Sequence, residues 1–534
     1  MVDTTLSNKK LLDARFFRHT FILIGLVVAS FLIHRSALQV GFIGDDFVYL
    51  SLDTKDIFLM SGFIYRPFGL TLFSLAGQWF GDNAPIVLHI LGITLHAINS
   101  YLLFRLARAL TGNAPISLLT AIIWLFSMTA VESIYWLSAL VFYLPMTCLI
   151  LITLLLAYNR FKFILADRPT PQVSSYLKSG TYIAVLWACS LMFHEIALVT
   201  PLIVVLMFYS DVFFPRSKAN LLVQFLLWLP TILVAVVYGI IRIVLHAPSA
   251  LVSFNISERA RLLVYAIWRS FIPIDNIIGH DVKHFIDKLH LIVLALVILF
   301  LVVTIIILWR TRTFRPIAWG ILATIISVFP PIAFATVGGR HLYLSSAMGI
   351  LTLGICSSIV LQQIAKDNIF IFKGRLAQEL AGVSLLSIIF VMLGMNLWRT
   401  HGEIQRFMQT SELVKKMESQ VMELVSKPLL TKYTDTEPIQ IFLLDFPIVT
   451  LTSSGVSRSI HRAFPELAKP VQITQIYFND HNPDIIRGGF GKYVDIPDII
   501  EMKSSAIVLV FCKQEQAVFL LGSNPIPCLR FDNK

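Results

Sequence analysis

The chain has 534 residues, 56% of them hydrophobic and 14% charged, with mean hydropathy +0.76. Soluble domains carry about 25% charged residues, so a water-soluble globular enzyme is excluded, and so is disorder, which needs low hydrophobicity. The net charge of +11 does not signal nucleic acid: residues 399–534 hold 15 basic and 15 acidic residues, so the excess, 28 against 17, lies in the first 398. There the basic residues sit between apolar runs, as membrane topology signals do.

A spanning helix needs about 20 mainly apolar residues. Eleven stretches qualify: His19–Leu38, Pro85–Leu106, Ala114–Val131, Ile134–Ala157, Tyr176–Phe193, Ile196–Phe214, Leu221–Ile241, Leu289–Trp309, Ile317–Val337, Leu342–Leu361 and Leu380–Leu397. Tyr176–Phe214 is read as two spans with a His194-Glu195 turn, because one helix would be roughly 58 Å long against a hydrocarbon core of ~30 Å. The first span has basic residues before it and no small-residue cleavage site after it, so it reads as an anchor. With the N-terminus cytoplasmic, inside segments hold 18 Lys and Arg, whereas the three short outside turns hold one, Arg340. Eleven spans then place the tail outside, on the extracytoplasmic face of a bacterial inner membrane, or of an ER membrane in a eukaryote.

The expected fold is therefore an α-helical polytopic membrane protein of about 11 transmembrane helices, residues 1–398, with outer loops 39–84 and 242–290. A small α/β domain at 399–534 follows. The long outer loops mix aromatics, charges and helical spacing, and are expected to lie partly along the interface. Asn255-Ile256-Ser257 is a formal glycosylation sequon. The tail opens with an amphipathic helix from about Glu403 to Ser426, stopped by Pro428. Strands are predicted at Ile439–Phe446, Val471–Phe478, Ser505–Cys512 and Gln516–Leu521, with a helix near Val456–Phe464. Gly488–Gly491 reads as a turn. Of the five cysteines, three lie in apolar spans; only Cys512 and Cys528 can pair, given an oxidising compartment.

The densest polar signal is Gly44-Asp45-Asp46, just beyond the first span. Two carboxylates beside lipid repel one another, so one should have a raised pKa and accept a proton; the alternative is a solvated interfacial turn. Asp53, Asp56, Glu132 and Glu195 fall at the same outer face, the last two on turns between spans, where an ionisable group is functional by default. Arg340 follows two glycines, either as an arginine snorkelling to the surface or as a bidentate phosphate clamp beside Tyr343. Arg66, in Tyr65-Arg66-Pro67, is a second anion contact or the start of an interfacial helix. His89 and His96 share one helix face, and without a third ligand they do not make a metal site.

Together these pieces resemble the C-type superfamily of polytopic membrane glycosyltransferases, nearest to the O-mannosyltransferase-like proteins that carry tetratricopeptide repeats. The similar residues are Gly44-Asp45-Asp46, Arg66-Pro67, His89 with His96 and Asn99 beyond it, Val131-Glu132-Ser133-Ile134-Tyr135-Trp136-Leu137-Ser138 and Arg340-His341-Leu342-Tyr343-Leu344-Ser345, in the family's order over about residues 41–350. Met128-Thr129 replaces a His-Pro, His194-Glu195 replaces a Lys-Glu, and the repeats are absent. The resemblance implies a polyprenyl-phosphate sugar as donor and a glycan, lipid or protein as acceptor. Asp45 or Asp46 would be the catalytic base, and Arg340 with Arg66 would hold the donor phosphate. Glu132, Glu195, His89 and Tyr343 would support them. No cofactor is required, although oxygen ligands at the acidic pair suit Mg²⁺ or Mn²⁺. The rival reading is a transporter or flippase for a lipid-linked or polar solute; such proteins show paired halves with midplane charges, and neither is evident here.

Overall fold

The computed structural model describes residues 3–44, 46, 49, 57, 65–166, 173–209, 221–244, 256–271, 315–333, 338–365, 375–425, 439–444, 456, 460, 471–477, 492–493, 507–512 and 517–520. Thirteen helices run through it in chain order, the first being α1 (Asp3–His34), which ends in a 3₁₀ turn at Arg35–Gln39. Next come α2 (Pro67–Phe80), α3 (Ala84–Thr111), α4 (Ala114–Leu125), α5 (Met128–Tyr135) and α6 (Leu137–Ala166). Then follow α7 (Val173–Leu191), a 3₁₀ turn at Glu195–Val199, α8 (Thr200–Tyr209), α9 (Leu221–Val244), α10 (Ile256–Phe271) and α11 (Arg315–Ala333). A 3₁₀ turn at Arg340–Leu342 leads into α12 (Tyr343–Ala365) and α13 (Arg375–Leu424).

Local chemistry sets these boundaries. Pro85 opens α3, and Gly112, with φ of 69°, closes it in the left-handed conformation that glycine adopts without strain. The Asn113 side chain then caps α4 by accepting the Ile116 N–H at 3.1 Å.

Among the described residues, six helical segments are long and apolar enough to cross a membrane, or seven if one bent pair counts as a span. These features make the chain a multi-pass helical membrane protein. The described residues do not yield eleven spans. The third expected span breaks at Phe126–Ser127 into α4 and α5, bent by 52°. The break frees the Phe126 carbonyl, and Thr400 Oγ1 on α13 satisfies it at 2.8 Å, as a buried backbone group in a membrane requires. Of the sixth expected span, the described residues show the 3₁₀ turn and the ten-residue α8. The eighth, Leu289–Trp309, lies outside the described residues.

The last span and the predicted tail helix are one continuous element. α13 has 50 residues, about 75 Å at 1.5 Å per residue, because no proline interrupts it before Pro428. The expected domain boundary at 398/399 therefore falls inside a helix. Beyond it, β1 (Ile439–Leu444), β2 (Val471–Tyr477), β3 (Lys492–Tyr493), β4 (Ile507–Cys512) and β5 (Ala517–Leu520) form a sheet of order β3-β2-β1-β4-β5. β1 pairs parallel with both β2 and β4, whereas β5 is antiparallel to β4. Four of these match the predicted strands. The two-residue β3 was missed because it is too short to show alternation.

Ile441, Leu443, Ile507 and Leu509 of the sheet pack on Val414, Met417 and Val421 of α13, and Ile43 from the loop after α1 joins the same core. Val456 and Ile460, from the predicted intervening helix, are buried there too. Gly41 N–H donates to Ser411 Oγ at 3.2 Å and Lys415 Nζ to the Gln39 carbonyl at 3.1 Å. α13 thus ties the sheet to the acidic loop. Cys512 is disulfide-bonded and Cys148, Cys189 and Cys356 are free; Cys528, Asn255 and Gly488–Gly491 lie outside the described residues.

Candidate functional site

Three distant chain segments meet where α5 gives way to α6. Asp46 is fully buried. Its Oδ2 accepts the Ile43 N–H at 3.0 Å and its Oδ1 accepts the Ser138 N–H at 2.7 Å. Ser138 is the second residue of α6, so Asp46 satisfies an otherwise unpaired N–H and sits at the positive end of the helix. Asp45, Asp53 and Asp56 lie outside the described residues.

Two residues before Ser138, the Trp136 ring carries the Arg340 guanidinium, Cζ lying 3.9 Å from the ring centroid. Glu132 was expected on a turn and stands instead on α5, one helical turn before Trp136. Its Oε2 accepts the Arg340 backbone N–H at 3.1 Å and its Oε1 lies 3.5 Å from Arg340 Nε. The glycines before Arg340 allow close approach to Glu132: a Cβ on Gly339 would stand 2.9 Å from Glu132 Oε2. Gly338 N–H donates to His341 Nδ1 at 3.0 Å, which fixes that nitrogen as unprotonated.

A second ion pair joins Arg66, just before α2, to Glu195 at the head of its 3₁₀ turn. It is bidentate, Nε to Oε2 at 2.9 Å and Nη2 to Oε1 at 2.6 Å. Burial disfavours both charges, but each outweighs it for the other: Glu195 is held below the usual carboxylate range by Arg66, and Arg66 is raised by Glu195. His194 caps the turn, its Nδ1 accepting the Ile196 N–H at 3.1 Å. That nitrogen therefore carries no proton toward Glu195, 3.6 Å away. Burial first and the Arg66 charge second push the His194 pKa down to about 3. Tyr143 of α6 links the two pairs, its ring centroid 4.4 Å from that of His194 and 5.7 Å from that of His341.

The remaining expected residues lie deeper. His89 places Nδ1 2.9 Å from the Ile134 carbonyl and Nε2 3.1 Å from the Val40 carbonyl, so it staples the acidic loop to α5. Tyr343 is corrected: it was expected beside Arg340 at the interface and is fully buried. The 3₁₀ turn at Arg340–Leu342 leads it inward, where its hydroxyl meets His96 Nδ1 at 2.7 Å and Asn99 Nδ2 at 3.4 Å.

Sequence reasoning missed Arg269, in the last turn of α10 and 2% exposed, together with Tyr143 and the ring of Trp136. The signal for Arg269 was present, since α10 repeats Leu262, Tyr265, Ala266 and Arg269 on one face. A tyrosine inside an apolar span carries no such mark. Among the described residues no three His, Cys, Asp or Glu side chains stand together, and Glu132 and Glu195 are each held by a guanidinium.

No family profile matches the chain, and no curated protein does. Solved structures do resemble it. One is the archaeal oligosaccharyltransferase AglB from Archaeoglobus fulgidus in complex with an inhibitory peptide and a dolichol-phosphate. It is 14% identical with a TM-score of 0.49, over 86% of this chain and 64% of that one. The A. fulgidus oligosaccharyltransferase tethered to an acceptor peptide containing the NVT sequon is 12% identical with a TM-score of 0.47, over 80% and 62%. Its apo form is 13% identical with a TM-score of 0.46, over 79% and 62%. The chain thus spans less than two thirds of the length of these enzymes, and what they bind is a property of theirs.

Proposed function

We propose that this chain is a membrane glycosyltransferase of the C-type. It would move a sugar from a polyprenyl-phosphate donor to a glycan, lipid or protein acceptor on the extracytoplasmic face, by a single inverting displacement. One observation carries the reading: Asp46, the Glu132–Arg340 pair and the Arg66–Glu195 pair, scattered over almost 300 residues of sequence, gather around the first turns of α6. Acid, cation and shielding are the parts such a transfer needs. A disulfide at Cys512 suits a tail in an oxidising compartment.

In this mechanism the acceptor hydroxyl attacks the anomeric carbon while the carbon–oxygen bond to phosphate breaks. Asp45 or Asp46 takes the hydroxyl proton, and the phosphate leaves with the bonding electron pair. One displacement inverts the anomeric configuration. Arg340 meets the developing phosphate charge, because its guanidinium reaches Glu132 only through Nε at 3.5 Å and its side chain is 20% exposed. Arg66, spent on a bidentate pair, holds the wall of the site with Glu195 instead. His89 keeps the acidic loop against α5. A divalent cation at Asp45 and Asp46 is compatible with this chemistry but not needed by it.

The test is donor consumption by purified protein with polyprenyl-phosphate sugars, comparing the native chain with Asp45→Asn and Asp46→Asn. General-base removal costs about 10²–10⁴-fold, so one variant should lose transfer while remaining folded. Full activity in both refutes the assignment.

A further inference from the structure

A buried arginine that forms no ion pair among the described residues lies next to this site. Arg269 is 2% exposed, yet among the described residues its Nε and Nη1 have no hydrogen-bond partner and it forms no ion pair. A guanidinium does not lose its proton, so burial cannot be relieved by neutralisation. An unpaired buried charge is costly, and a protein keeps one where an anion arrives to meet it.

The surroundings are made for that anion. Arg269 lines a narrow half-open cleft with Ser127, Thr129, Ser270, Ser346 and Asn396, with room inside for one water-sized group. Among the described residues no carboxylate lines it. Ser127 and Thr129 are the N-cap and second residue of α5, so the positive end of that helix opens into the same space. α12 presses against the end of α10 at Gly349, where a Cβ would collide with the Ser270 carbonyl, so the arginine is held on a rigid wall. The cleft also adjoins the candidate site: the Cβ position of Gly339 lies 3.5 Å from Arg269 Nη2 and 2.9 Å from Glu132 Oε2.

We propose that Arg269 and the first turn of α5 form a binding site for the phosphoryl group of a lipid phosphate, with Arg340 at its outer edge. This rests on the transferase reading for the identity of the lipid. One phosphoryl oxygen enters the narrow, hydroxyl-lined interior, while the rest of the headgroup, sugar and polyprenyl chain stay outside it. Two guanidiniums then share the phosphate charge as it leaves.

The experiment measures binding of a polyprenyl monophosphate to the full chain in nanodiscs, against an uncharged polyprenol of equal length and against inorganic phosphate. Arg269→Met should weaken polyprenyl-phosphate binding tenfold or more and leave polyprenol binding unchanged. Its melting temperature should equal or exceed the native one, because the resting protein loses an unpaired charge. Arg269→Lys keeps the charge without the fork, and should bind several-fold less tightly at native stability. Native-like lipid-phosphate affinity in either variant overturns the site. So does a large drop in melting temperature for Arg269→Met, which would reveal a structural partner. Inorganic phosphate binding as tightly as the lipid overturns the lipid assignment. Arg269-dependent binding without sugar transfer from any donor sinks the transferase reading alone; transfer that Arg269→Met leaves intact sinks the phosphoryl site alone.

Discussion

Replacing Glu195 by Gln leaves the Arg66 guanidinium, whose side chain is 13% exposed, without its counter-ion. Two charge-assisted hydrogen bonds at 2.9 and 2.6 Å are lost or weakened together. Breaking a buried pair from one side costs about 3–5 kcal/mol, because the remaining charge stays desolvated. Arg66→Met should cost a comparable amount by stranding the carboxylate. The double variant removes both charges, and should be less destabilised than the sum of the two by several kcal/mol. The free thiols Cys148, Cys189 and Cys356 offer the assay, since a thiol-reactive dye reports their exposure during thermal unfolding in detergent. The reasoning is refuted if each single variant loses only the ~0–1 kcal/mol of a surface pair, or if the two losses simply add.

Acid should loosen the same wall. His194 is neutral when folded with a pKa of about 3 and near 6.5 when unfolded, so stability is fully present above pH 6.5 and is lost as pH falls toward 3. By pH 5 the loss from His194 is about 2 kcal/mol. His194→Asn, which can still cap the Ile196 N–H, should flatten the profile of melting temperature against pH; an unchanged slope would count against this cause. Gly339→Ala should drive Glu132 off the Arg340 backbone N–H, because the new methyl would stand 2.9 Å from Oε2. A stability loss of about 1–3 kcal/mol is expected for that displaced charged hydrogen bond, read by the same dye. Native stability would show that the turn relaxes freely.

Much of this molecule is written locally. Its membrane nature, the ends of α3 at Pro85 and Gly112, and four of the five strands follow from composition, turn residues and periodicity, which act over a few residues. So does the presence of ionisable residues near helix ends, Asp46, Glu132, Glu195 and Arg340 among them. Periodicity did not show that α4 breaks from α5, because Phe126 and Ser127 interrupt neither the hydropathy nor the helix-forming residues; the break holds because Thr400, 274 residues away, takes the freed carbonyl. Nor does a sequence say which charge meets which. Glu132 and Arg340 are 208 residues apart and Arg66 and Glu195 129 apart. Only packing brings such segments within hydrogen-bond distance, and only packing turns Tyr343 inward and buries Arg269 with no hydrogen-bond partner at Nε or Nη1 among the described residues. Local spacing set the residue types at each helix end, whereas pairing and desolvation, which depend on what lies across the gap, were left to the tertiary fold.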